Sequence, residues 1–187
     1  EKKLESSPKP APIDAAGRSV YLERFIHGQI YRARPDVMAI VHSHSPSVVP
    51  FSVVKEAPLR ALCHVAAFIG TGAPVFEIRD AGRDGTSLVV TDNRLGEALA
   101  TSLGEESLIL MRGHGSTVVA DTLRKVVYRA VYAEINARAQ IQATQLGAVT
   151  FLSEAEVRTA TTMVESQVAR AWDLRKKKAE LTVGALS

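Results

Sequence analysis

The chain switches between stretches whose apolar residues recur every three or four positions and short runs that are apolar throughout. The first period marks a helix buried along one face, and the second marks a strand buried on both. Over residues 17–34, Val20, Tyr21, Phe25, Ile26, Ile30 and Tyr31 follow the helical period, which sets Glu23 and His27 one turn apart on one face. Pro35-Asp36 ends that helix, and residues 36–43 read as a buried strand. Residues 46–54 fit a short helix with Pro46 in its first turn. Residues 59–69 and 74–78 are strand-like, 79–85 form a charged loop with glycine, and 87–90 suit a further strand.

In the second half, Asp92 or Asn93 caps a helix that runs to Leu103 and stops at Gly104. Residues 107–111 and 116–120 flank the turn Gly113-His114-Gly115 as two strands. Asp121 caps a long helix to about Leu146, ended by Gly147. Ser153 and Glu156 make a capping box for a last helix to about Lys178. This order predicts an α/β fold with a mixed, largely antiparallel sheet between helical layers. Residues 1–16 are polar and proline-containing and read as a linker or loop, and residues 17–187 read as a single domain. The chain starts at Glu1 rather than methionine, as the remainder of a longer protein would.

With 187 residues, 46% hydrophobic and 23% charged, the composition suits one soluble domain with a sizeable core. A net charge of +3 and the lack of a basic stripe with interleaved aromatics argue against a nucleic-acid partner. The run Arg175-Lys176-Lys177-Lys178 reads as a solvated helix end. No apolar run approaches the ~18 residues that would span a bilayer, so no membrane partner is expected. The single cysteine, Cys63, excludes an internal disulfide and fits a reducing cytoplasm; its apolar surroundings suggest a buried structural thiol.

Candidate chemistry gathers on the histidines. Three of the five, His42, His44 and His114, stand at the ends of strand-like runs, where a side chain can leave the core and face a cleft. Imidazole is the commonest ligand for transition metals. A His-x-His pair on a strand puts both rings on one side of the sheet. His114 lies between two glycines, where the backbone can turn sharply and approach another segment. Glu23 could add an oxygen ligand. On these residues alone, metal ligation and two satisfied polar histidines stay equally open.

The wider pattern decides between them. Glu23-x-x-x-His27, Ile30-Tyr31, Arg34-Pro35-Asp36, His42-x-His44-Ser45-Pro46 and Gly113-His114-Gly115 together resemble the class II aldolase/adducin family. In that family the glutamate stands nineteen positions before the first histidine, as Glu23 does before His42. The resemblance implies a three-layer α/β fold whose N-terminal part is missing here. It also implies a divalent ion, zinc or manganese with cobalt as a further candidate, on His42, His44, His114 and Glu23. Glu23 doubles as the proton-transfer residue. The resemblance further implies a homotetramer with active sites between subunits.

Two departures narrow the substrate. The family's phosphosugar aldolases carry Ser-Ser before the glutamate, where this chain has Tyr21-Leu22. They also carry a tyrosine acid after a histidine near position 64, where His64 is followed by Val65. A phosphosugar is therefore disfavoured. Arg112, beside the third histidine, makes the set similar to the family's decarboxylase branch, which acts on hydroxylated aromatic or pyridine dicarboxylates. The resemblance thus implies a small-molecule carboxylate substrate held by Arg112, Ser43 and Ser45, with His64 as acid or as a donor behind the metal. An aldolase or epimerase acting on a sugar or hydroxy-acid is the alternative. A non-catalytic adducin-like module fits less well, because that branch lacks the metal histidines.

Overall fold

The computed structural model describes residues 16–17, 20–82 and 85–184. Helix α1 (Arg24–Ala33) buries Ile26 and Ile30. It starts later than the periodicity suggests, with Glu23 at its N-cap. Strand β1 (Ala39–Ser43) leads through a turn into a 3-10 turn at Val49–Ser52. Strand β2 (Val75–Phe76) is followed by a one-turn helix α2 (Ile78–Ala81) where a loop was expected; Arg83 of that loop lies outside the described residues. Helix α3 (Asn93–Leu103) is capped by Asp92, whose carboxylate accepts from the Leu95 N–H. Strands β3 (Leu108–Met111) and β4 (Gly115–Ala120) follow. Helices α4 (Leu123–Leu146), α5 (Glu154–Glu165) and α6 (Val168–Gly184) complete the chain.

Among the described residues four strands form one sheet in the order β1-β4-β3-β2. β1 and β3 run antiparallel to β4, and β2 runs parallel to β3. Alternation along β3 divides the core in two. Leu108 and Leu110 join Val48, Leu59 and Ala137 on the α4 face. Ile109 and Met111 join Ile26, Ile30 and Leu99 on the α1/α3 face. The sheet between helical layers is therefore as the sequence pattern predicts.

Residues 59–69 are not a strand. Asn136 and Gln140, one turn apart on α4 and buried, do for this segment what a neighbouring strand would. Asn136 Oδ1 accepts from the Leu62 N–H at 2.9 Å, and its Nδ2 donates to the Arg60 carbonyl at 2.7 Å. Gln140 Oε1 accepts from the Arg60 N–H at 3.0 Å, and its Nε2 donates to the Pro58 carbonyl at 2.8 Å. With those groups satisfied, the chain has no need of a sheet partner. It turns at Cys63, which is half-buried, into a 3-10 stretch at His64–Ile69.

Three smaller expectations are corrected. Residues 87–90 do not pair as a strand, because Leu88 sits at φ +64° and breaks the extended run. Thr122 rather than Asp121 caps α4; Asp121 instead pairs with Lys125 Nζ at 2.8 Å. The last helix is two. Ser166 Oγ bonds back to the Met163 carbonyl at 2.8 Å and ends α5, so that Val164 and Val168 both pack beside Tyr128. The capping box of Ser153 and Glu156 is present as expected.

Candidate metal centre

The site is assembled where β1 meets the β3–β4 turn. In the antiparallel register His42 stands opposite Thr117, and Ser43 opposite Ser116. The buried Thr117 hydroxyl lies 3.4 Å from His42 Nδ1, which turns His42 Nε2 toward His44 Nε2, 3.2 Å away. His114 arrives from the turn between β3 and β4. Gly113 enters that turn at φ +64°, where a side chain would be strained, and its N–H donates to Ser52 Oγ at 3.0 Å. Gly115 leaves it against β1: a Cβ there would stand 2.4 Å from the Ser43 carbonyl oxygen and 2.9 Å from the His44 ring. Each glycine flanking His114 thus has its own steric cause. The three rings lie 4.9 to 5.1 Å apart, and a nitrogen from each falls within 4.8 Å of the others.

Burial, then the neighbouring His114 and His44, push the His42 pKa down to about 4. Burial and His44 lower that of His114, against a backbone hydrogen bond to Leu88 and the charge of Glu23. Both rings are therefore neutral near pH 7 and present lone pairs, as metal ligation requires. His114 Nδ1 is buried and has no hydrogen-bond partner among the described residues. Three imidazoles that each bring a nitrogen within 4.8 Å of the others are a donor set that a divalent ion completes.

Glu23 stands outside this triad of ligand atoms. It is half-buried, makes no capping bond to α1, and its charge reaches His27, His42 and His114. His27, one turn on, is lowered by burial and packs edge-on against Tyr31. The structure does not bring His64 to the triad of its own chain. This residue is exposed and lines a different hollow with Phe68, Lys125, Tyr128 and Arg129.

The Ser43 carbonyl lies against Gly115, and the Ser45 carbonyl accepts from the Val48 and Val49 N–H groups at 3.0 and 3.1 Å. Arg112 Nε lies 2.5 Å from Glu77 Oε2. Glu77 also receives Arg79, through its guanidinium at 2.7 Å and its N–H at 3.0 Å. The bonds from Arg79, and then Arg112, hold the Glu77 carboxyl down at about 2.

Three residues of the site escaped the sequence reading. Thr117 is visible only through the strand register, and Glu77 only through the pairing of β2 with β3. Glu134 on α4 accepts from the Ser47 N–H at 3.1 Å and from the Ser47 hydroxyl at 2.6 Å, fixing the turn just after His44. No local signal marks it, since the partners are 87 positions apart.

The fold and the histidine triad together define the class. A family model described as the Class II Aldolase and Adducin N-terminal domain matches residues 7–141, and the chain belongs to that family. Among curated proteins it is 32% identical to "Decarboxylase tropJ" of Talaromyces stipitatus, over 91% of this chain and 71% of that one. It is 27% identical to a 3,4-dihydroxyphthalate decarboxylase of Rhodococcus jostii, over 74% of this chain and 55% of that one. The chain thus spans about half the length of the second relative. Among solved structures, an aldolase II superfamily protein from Pseudomonas syringae shares the fold with a TM-score of 0.67, at 21% identity. That match covers 87% of this chain and 64% of the other.

Proposed function

We propose that residues 17–187 form one catalytic domain, a metal-dependent carbon–carbon lyase that decarboxylates a hydroxylated aromatic or pyridine dicarboxylate. The observation that carries the reading is the convergence of His42, His44 and His114, with the His42 and His114 rings held neutral. The names of the two curated relatives favour decarboxylation over aldol cleavage. When bound to these histidines and Glu23, a divalent ion (zinc or manganese, with cobalt as a further candidate) supplies Lewis-acid stabilisation of the electron pair left as carbon dioxide departs.

The remaining roles belong to side chains. Arg112, with Nε engaged by Glu77, offers its two terminal amino groups to a substrate carboxylate. The Ser43 and Ser45 hydroxyls donate to the substrate beside it. Glu23 carries the proton that replaces the lost carboxylate; its charge already reaches two of the three imidazoles. His64 delivers or orients that proton. Because His64 stands outside its own chain's triad, we assign its part to a neighbouring subunit in a homotetramer. We place this activity in the cytoplasm; among the described residues no helix is long and apolar enough to cross a membrane.

Class II aldolase or epimerase chemistry on an unphosphorylated sugar or hydroxy-acid is the second reading, favoured by the family's name. A panel of hydroxylated aromatic and pyridine dicarboxylates, supplied with zinc, manganese or cobalt, separates the two. Carbon dioxide release from at least one member supports decarboxylation. Aldehyde release from a hydroxy-acid with no carbon dioxide from any dicarboxylate would assign the aldolase instead.

A further inference from the structure

A hollow of about 430 Å³ opens beside the turn that carries His114. That volume lies in the range of roughly 300–1,000 Å³ typical of small-molecule sites. Phe51, Val53, Val54 and Val75 give it an apolar part, and Lys55, Arg79, Arg112, Glu77 and Asp80 give it a charged one. The hollow is tied to the metal centre through its own wall. Ser52, which lines it, holds the Gly113 N–H at 3.0 Å, one residue from His114.

The charges do not cancel. Three cations against two carboxylates leave one positive charge, and Glu77 already serves both Arg79 and Arg112. Among the described residues no acid pairs with Lys55. Arg112 meets Glu77 through Nε, so its terminal fork, the part that matches a carboxylate two-pronged, remains available. Two available cationic groups beside apolar side chains suit a flat ring bearing a carboxylate, the ring against the apolar part and the carboxylate against the cations.

We propose that this hollow is the subsite for the second carboxylate of an aromatic dicarboxylate, held between Arg112 and Lys55. The inference rests on the decarboxylase reading for its substrate, yet the subsite can be tested without turnover. Phthalate is titrated calorimetrically into the full-length protein after its metal has been removed by chelation, with acetate as a ringless competitor. Wild type binds phthalate saturably, and Lys55→Met, which keeps the apolar stem, weakens binding by about tenfold. Lys177→Met, on the exposed face of α6, leaves it unchanged. Equal phthalate affinity in Lys55→Met and wild type would overturn the proposal. So would displacement by acetate at equal concentration, which would make the hollow a general anion site.

In the metal-loaded enzyme, Lys55→Met raises KM for 3,4-dihydroxyphthalate and spares 2,3-dihydroxybenzoate, which lacks the second carboxylate. If phthalate binding depends on Lys55 but neither compound releases carbon dioxide, the subsite stands and the decarboxylase reading falls.

Discussion

Glu134 is not among the ligand atoms of the histidine triad, yet it braces the turn that follows one member. Its two oxygens hold both the N–H and the hydroxyl of Ser47, and the turn so fixed starts at Ser45, the residue after His44. Groups that orient metal ligands from behind matter to affinity nearly as much as the ligands. We therefore expect Glu134→Ala to weaken metal binding by about 10- to 100-fold in a titration against a competing chelator. Ser47→Ala should act in the same direction, and the double variant should lose less than the sum. Unchanged affinity in Glu134→Ala would remove it from the site.

The same scale carries a pH dependence. His42 has an ordinary pKa of 6.5 when unfolded and one of about 4 in the folded chain. Between these values the unfolded chain binds a proton that the native one refuses, so stability falls as pH falls. His27 and His114 are shifted the same way. The Tm of the metal-free protein should drop between pH 6.5 and 4, less steeply in His42→Asn; equal slopes would contradict the shift. The triad itself was legible in the sequence, because histidines at strand ends and between glycines are local signals. Its supports were not, because Thr117, Glu77 and Glu134 reach the site only through pairings distant in the chain.

Among the elements, the segment over residues 58–62 shows how an apolar run can read as a strand and yet take no strand partner. Its apolar side chains Leu59 and Ala61 are buried, which is all the pattern records. Its hydrogen bonds, however, go on one side to Asn136 and Gln140 on α4 and on the other to the backbone of Gly70, Ala73 and Leu152, none of them to the four-stranded sheet. An amide on a helix gives no sign of the loop it will serve. Asn136→Ala strands the Leu62 N–H and the Arg60 carbonyl inside the protein, at a cost of about 1–3 kcal/mol for each group. Urea unfolding should show that loss, and a change below 0.5 kcal/mol, on the order of an ordinary surface substitution, would mean that water replaces the amide. The helix ends fared better. The Asp92 cap and the Ser153–Glu156 box were both readable, because capping is decided within four residues. The break between α5 and α6 was not, since it depends on Val164 and Val168 meeting Tyr128.

For the whole molecule, two apolar cores on opposite faces of one mixed sheet place β1 and the β3–β4 turn at a shared edge of the site. The layer order followed from element order and from alternation within β3. Where His64 acts did not, because a single chain leaves it away from the triad, on the hollow beside α4 and α5. If His64 serves a neighbouring subunit, mixing His42→Ala with His64→Ala subunits should restore part of the activity that each lacks alone. No recovery in mixed, reassembled oligomers would mean that His64 does not act across subunits.

The central claim is that the three imidazoles hold the ion on which decarboxylation depends. The most direct test measures bound metal per chain and carbon dioxide release from 3,4-dihydroxyphthalate side by side, in wild type and in His42→Ala. The account predicts that wild type holds one divalent ion and releases carbon dioxide, and that His42→Ala loses both together while keeping its fold by circular dichroism. Full carbon dioxide release by His42→Ala in chelator-treated buffer would contradict it.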